Sequence, residues 1–283
     1  MLRALHRSLC CAGMLLVAVL PVRAQRAAVP AGPSARASRA FAQAQSEGPL
    51  ALRAFLVRMP KGADLHVHLS GAVYAETFLR EAEEDGLCIS PATLSVVRKE
   101  KTDPQAVACG AGEVPATSVH KDQQLYDRLI DSFSMRTFVP VTGESGHDHF
   151  FATFDRFGGV GKQHMGEWLD EVASRAAAQN EQYLELMDTP DYKPAAALAE
   201  KIGYEVDLPR YRQDMLTAGL RSGLTPIAKT LDRAEADRRA REHCDSAAPL
   251  AGCEVEVRYL VQVLRGISPE TDFAQILRGF ELA

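Results

Sequence analysis

The sequence predicts an α/β chain with parallel strands. A short strand, a turn and a helix stand together at residues 63–85. The same order of short apolar strand and following helical segment returns at 182–187 and at 254–263, and long helical stretches separate the three units. Strands that alternate with helices need crossover connections, which pair them in parallel. No internal repeat is visible. The 283 residues, 46% hydrophobic and 24% charged, suffice for one large domain or two modest ones. A net charge of −5 without a lysine-rich tract argues against a nucleic-acid partner.

Residues 1–24 read as a secretory signal: Arg3, His6 and Arg7 precede an apolar run from Leu9 to Val22, and small residues flank Arg23. An uncleaved anchor is the competing reading. Cleavage would remove Cys10 and Cys11 and leave an exported chain, periplasmic or extracellular, with no membrane contact. Residues 25–37, small, polar and proline-containing, read as a flexible start, ahead of a barrel-type domain over 38–283.

A helix is expected from about Arg39 to Arg58, with a break near Gly48-Pro49 and a stop at Pro60. Ala63 to Leu69 alternates as a strand, with Asp64, His66 and His68 on one face and Leu65, Val67 and Leu69 on the other. Ser70-Gly71 turn the chain, and Tyr74 to Asp85 form a helix closed by Gly86. Residues 87–120 read as an irregular excursion. Helices follow over 121–133, 145–157 and 163–179; then come the strand 182–187, a helical stretch from Pro194 to Cys244, the strand 254–263, and a helix opened by Pro269.

Cys88, Cys109, Cys244 and Cys253 remain after signal removal. Pairing Cys88 with Cys109 and Cys244 with Cys253 brackets two short turn-rich segments; four buried thiols are the alternative.

The chemistry centres on His66 and His68. Residues two apart on a strand aim two imidazoles the same way, and imidazole ligates zinc and its neighbours. Hydrogen-bonded structural histidines would give the same spacing. The following Ser-Gly turn puts both rings at the carboxyl end of the strand, where α/β barrels carry their chemistry. Three other histidine patterns are weaker. His147 and His149 are two apart on an expected helix and do not share a face. His164 and Glu167 have a helical i, i+3 spacing used in metal bundles, with surface pairing as the alternative. His243 reads as a surface or capping residue.

The segment PKGADLHVHLSGA, residues 60–72, closely resembles the first barrel strand of the adenosine deaminases, metal-dependent members of the amidohydrolase superfamily. Its continuation VYAE makes it most similar to the exported branch related to adenosine-deaminase growth factors. HFFATFDRF (149–157), QYLELM (182–187) and VEVRYLVQVLRG (255–266) resemble later elements of the family. The resemblance runs from about residue 50 to the end.

The resemblance implies the N-terminal part of a (β/α)8 barrel, about three βα units with long helical inserts. It implies zinc as the cofactor, with His66 and His68 as the first two ligands. The activity it implies is hydrolytic deamination of adenosine and deoxyadenosine to inosine and deoxyinosine, with ammonia released. Phe150, Phe151 and Phe154 match pocket-wall residues, with plain core packing as the alternative. Ser70 stands where other members carry a substrate-contacting aspartate. The partner expected is a small purine nucleoside, and the resemblance also allows a homodimer. The family's remaining ligands and its catalytic glutamate come in a His-Ala-Gly-Glu strand end and an Asp-Asp pair. Neither occurs in this sequence, so no catalytic residue is assigned. The expectation is a truncated chain, with complete relatives continuing past Ala283, that binds zinc weakly and is inactive alone. A hydrolase for another purine and a non-catalytic exported binding protein are the rival readings.

Overall fold

The structure, a computed structural model, describes residues 32–97 and 109–283. The expected signal segment and residues 25–31 lie outside the described residues. The chain divides into two compact units, with the boundary between Leu56 and Val57. In the first, α1 (Pro33–Glu47) meets the start of α2 (Pro49–Arg58) across Gly48, whose φ of 103° is open to glycine and strained for other residues. Phe41 and Phe55 pack there, ring centroids 5.7 Å apart. The helix begins at Pro33, not Arg39, so residues 33–37 are helical where a flexible start was expected. Proline at the first helical position explains this: its missing N–H costs nothing there.

The second unit is built on β1 (Gly62–His68), β5 (Glu181–Asp188) and β6 (Glu256–Val261), a parallel sheet in the order β1-β5-β6. Between β1 and β5 lie α3 (Ala75–Glu84), three short strands β2 (Cys88–Ser90), β3 (Ser95–Val97) and β4 (Val114–Pro115), then α4 (Gln123–Phe133), α5 (Gly146–Phe157) and α6 (Met165–Ala178). After β5 come α7 (Lys193–Ile202), α8 (Leu208–Thr217) and α9 (Leu224–Arg241), and α10 (Pro269–Leu282) follows β6. The chain is thus mixed α/β with a three-stranded parallel sheet. Among the described residues, no helix is long and apolar enough to cross a membrane.

Residue pattern and caps account for these helices. On α3, Ala75, Phe78, Leu79 and Ala82 form one buried stripe, and on α6 Met165, Trp168, Leu169, Val172 and Ala176 form another. Asp122 accepts from Leu125 N at 3.1 Å at the start of α4. Ser145 and Asp148 make a reciprocal capping box on α5. Leu184 and Leu186 point from β5 into the main core beside Leu169 and Val172. A second, smaller core joins α7, α8 and α10 through Ala199, Tyr211, Met215 and Ala274.

Three expectations need correction. Residues 87–120 are not wholly irregular: β2 pairs antiparallel with both β3 and β4. These strands are too short for a period to stand out in sequence. The helical stretch from 194 is broken at Gly203 and Gly219, both with positive φ. The strict alternation along β1 also fails. The register slips between Asp64 and Val67, so Asp64 stands opposite Leu184 and His68 opposite Met187, residues of opposite faces of β5. Asp64 turns its carboxylate to the His66 N–H at 3.1 Å, and Leu65, expected in the core, is 59% exposed.

Disulfides join Cys88 to Cys109 and Cys244 to Cys253, with Cα separations of 5.6 and 5.5 Å. Between α3 and α6 lies a polar hub. Glu81 is 0% exposed, and Trp168 Nε1 donates to both its oxygens at 3.0 and 2.8 Å. His164 bonds Asp85 at 3.1 Å and also reaches Glu167 at 4.0 Å, a pair that is partly buried and not at the surface, and the Glu167 carboxylate faces Arg80 and Arg241 as well. Burial pushes the Glu81 carboxyl up from 4.5 to about 8, the Trp168 bond opposing and the Glu167 charge adding.

Two measurements check this packing. Leu186→Ala should cost about 3 kcal/mol in urea unfolding, and Leu65→Ala no more than about 0.5 kcal/mol; equal costs would contradict the facing described. Because folded Glu81 holds its proton up to about pH 8 and an unfolded carboxyl releases it near 4.5, stability should fall as pH rises through that window. Glu81→Gln should flatten the fall, and an unchanged pH profile would refute a protonated Glu81.

Candidate functional site

The carboxyl ends of the parallel strands bring together the end of β1, the end of β5 and the residue after β6. Their placement follows from the ladder. Leu69 N donates to Met187 O at 3.1 Å, and Gln262 N donates to Asp188 O at 2.8 Å, so both outer chains remain tied to β5 just past their last strand residues. The turn after β1, which starts at Ser70, is pinned from α6. Glu171 accepts from Tyr74 N at 2.7 Å and from the Thr77 hydroxyl, while Arg175 donates to Ala72 O. Tyr74 has no capping side chain of its own, and Glu171 supplies that acceptor to α3.

His66 and His68 stand side by side, ring centroids 5.2 Å apart with 65° between the ring planes. They differ in surroundings. His66 is exposed, whereas His68 is half-buried and its Nδ1 lies 3.1 Å from Gln262 Oε1. An amide oxygen only accepts, so with this assignment Nδ1 carries the proton and Nε2 keeps a free lone pair. That is how a neighbouring acceptor orients a metal-binding imidazole. Gln262 is a residue that sequence reasoning missed. It falls inside the strand expected over 254–263, and only the observed end of β6 at Val261 puts it at the strand terminus.

Phe154 approaches the edge of His68, 6.2 Å between centroids, and Phe150 packs on Phe154 at 5.3 Å. Gly71 permits this: a Cβ there would lie 2.8 Å from Phe154 Cζ and 3.5 Å from His68 Cβ. Phe151 stands at the margin of the group: it meets Phe150 edge to face at 5.2 Å, but it is 58% exposed and also packs beside the His147 ring at 4.7 Å. Helical geometry explains the split, since residues 150 and 154 share a face and 151 lies about 100° away.

His147 and His149 do not converge either. His149 is buried, with Nδ1 3.1 Å from Glu144 and Nε2 3.2 Å from the carbonyls of Asp131 and Ser134, stacked on Phe138. It fastens the loop before α5. His243 is exposed at the end of α9, with φ 55°. At the end of β5, Lys162 bonds Asp188 Oδ1 and Thr189 O, each at 2.6 Å.

As a zinc site, the histidine pair is partial. Among the described residues, no third imidazole, carboxylate or thiolate joins these two within metal-holding distance. Catalytic zinc ordinarily takes three protein ligands, so the pair fits as an anchor and not as a closed cage. Three other groups have the spacing to hold a cation: Glu81 with His164 and Glu167, Cys88 with Cys109 and Glu113, and Glu242 with Cys244 and Cys253. In the first, every side chain already has hydrogen-bond or ionic partners; in the other two, the sulfurs are joined. The clefts of about 500 and 370 Å³ lie elsewhere, one between α7 and α10 and the other around His149. The sequence matches no protein-family model and no curated protein sequence.

Proposed function

We propose that this chain carries the opening portion of an adenosine deaminase-type (β/α)8 barrel: the metal-anchoring strand and part of the purine shelf of a zinc-dependent hydrolase acting on adenosine and deoxyadenosine. The observation that carries the reading is His68. It sits at the carboxyl end of a parallel strand, its Nδ1 is engaged by Gln262 and its ring is flanked by Phe154. His66 and His68 would hold the zinc, which when bound makes a water acidic enough to attack a purine carbon near neutral pH.

The chain's own residues have narrower tasks. Gln262 fixes the tautomer and direction of His68. Phe154 and Phe150 offer an apolar surface against which a purine face can lie. Ser70, at the start of the turn after β1, offers a hydroxyl without charge. The group includes no carboxyl positioned for proton transfer, so it can bind without completing the reaction.

A second reading has its own support. The histidines lie on an open sheet face, where Glu256, Arg258 and Leu260 are exposed, and not in an enclosed cavity. This suits a non-catalytic binding protein that uses the same strand ends. It predicts cooperative unfolding that a chelator does not alter.

The deciding experiment is zinc retention by the oxidised full-length chain after dialysis, with adenosine and deoxyadenosine conversion followed in parallel. The expected result is weak zinc binding, reduced about 10- to 100-fold by His68→Ala and measurably by Gln262→Ala, with no inosine formed. Equal zinc retention by the His66→Ala/His68→Ala double variant would reject the metal anchor.

A further inference from the structure

The connection between α9 and β6 contains a feature that the histidine site does not use. α9 ends at Arg241, and His243 reverses the chain so that Cys244 N bonds back to Arg239 O at 2.9 Å. Leu250 N then bonds Glu242 O at 2.9 Å, folding the segment over the helix end and bringing Cys253 to Cys244. Glu242 lies beneath this loop and is 0% exposed.

The two oxygens of Glu242 have different fates. Oε2 receives Arg238 Nη1 at 2.9 Å and lies 3.5 Å from Cys244 Sγ. Oε1 is buried and has no hydrogen-bond partner among the described residues. It rests over Gly252, where a Cβ would come within 2.3 Å of it. Any larger residue at 252 would displace the carboxylate. A buried carboxylate oxygen with an unpartnered lone pair is costly unless the group is protonated, the direction in which burial pushes Glu242, or something is bound there for at least part of the protein's working life. The atoms within reach are sulfurs: the ligand atoms of Glu242, Cys244 and Cys253 all lie within 4.8 Å of one another. Around a tetrahedral zinc with bonds of about 2.0–2.3 Å, ligand atoms stand roughly 3.5–4 Å apart. Opening the sulfur–sulfur bond therefore converts this group to metal spacing with little movement of the backbone.

We propose that Glu242, Cys244 and Cys253 form a redox-gated site for a divalent, thiolate-preferring cation such as zinc, closed while the sulfurs are joined and open once they are reduced. The reductant is a dithiol. One of its thiolates attacks a cysteine sulfur and the second resolves the mixed disulfide. The dithiol ends as a disulfide, and Cys244 and Cys253 end as two thiols. The cation then displaces one proton from each thiol to solvent and takes two sulfurs and a Glu242 oxygen, leaving a fourth position for water. Softness of the two thiolates selects zinc, cobalt or cadmium over magnesium or calcium. Arg238 stays on Oε2 and offsets part of the negative charge. The site is independent of His66 and His68, since it needs reduction and they do not.

The test uses the full chain with Cys10→Ser and Cys11→Ser, reduced by a dithiol, desalted without oxygen, and titrated with cobalt(II). Thiolate-to-cobalt charge-transfer absorption should appear stoichiometrically in the reduced chain and be absent from the oxidised one. It should persist in the Cys88→Ser/Cys109→Ser and His66→Ala/His68→Ala variants, vanish in Cys253→Ser, and need about tenfold more cobalt in Glu242→Gln. A reduced chain without the band overturns the proposal, as does a band that survives Cys244→Ser/Cys253→Ser. Circular dichroism covers the remaining case: a reduced chain that loses its helical signal and does not regain it with cobalt also refutes the site.

Discussion

The second unit of the structure depends on β5 having both backbone edges paired. Its neighbours β1 and β6 each have one edge on β5, and their register is set there. Leu184 and Leu186 then lock β5 onto α6 by burial, each removing a side chain worth roughly 1.5–3 kcal/mol from water. A shift of β5 by one residue would turn both leucines out and bring Tyr183 and Glu185 in. Placement of His68 opposite Met187, and of Gln262 next to His68, follows from that register. The site geometry is therefore a consequence of core packing on the other side of the sheet.

That packing is one-sided. The helical face of the sheet joins the main core, including Val67, Leu184, Leu186, Val257 and Tyr259. The opposite face keeps Glu256, Arg258 and Leu260 exposed. Exposed polar groups on such a face keep their hydration, while the half-buried His68 is compensated by its bond to Gln262. The polar contacts made by α6 complement this arrangement. Trp168 holds Glu81, Glu171 caps α3, and Arg175 fixes the turn after β1. One helix thus buries the sheet through its apolar stripe and positions the strand-end turn through its polar edge.

Much of this was legible in the sequence, and what was not has physical causes. The parallel strands, most helix positions and the Gly48 break follow from periodicity, proline and glycine, which act locally. Phe150 and Phe154 sharing a face follows from helical spacing. The β1 irregularity does not, because it depends on Asp64 preferring the His66 N–H to its place in a regular ladder, a choice settled against β5. The small antiparallel sheet escapes for a similar reason: Ile89 is buried by partners distant in sequence, and three residues carry no period. Gln262 and the Glu81 hub are contacts between elements far apart in the chain, and no single stretch encodes them.

The two histidines of the opening strand are unequal, and the inequality bears on how a cation would be held. His68 has its ring direction set by Gln262 on one side and Phe154 on the other. Gly71 is what lets Phe154 come that close. His66 lies within the register slip, is exposed, and has its ring against that of His68, centroids 5.2 Å apart. Ordering a free side chain on binding costs conformational entropy that an already oriented one does not incur. The first bond to a cation would therefore form at His68, and the affinity of the pair would depend chiefly on how cheaply His66 can be held. A third ligand would matter less for its own bond than for fixing the cation against which His66 must settle. Two histidines on a strand are thus a weaker predictor of a metal site than the neighbours that orient them, and in this chain only one of the two has such neighbours.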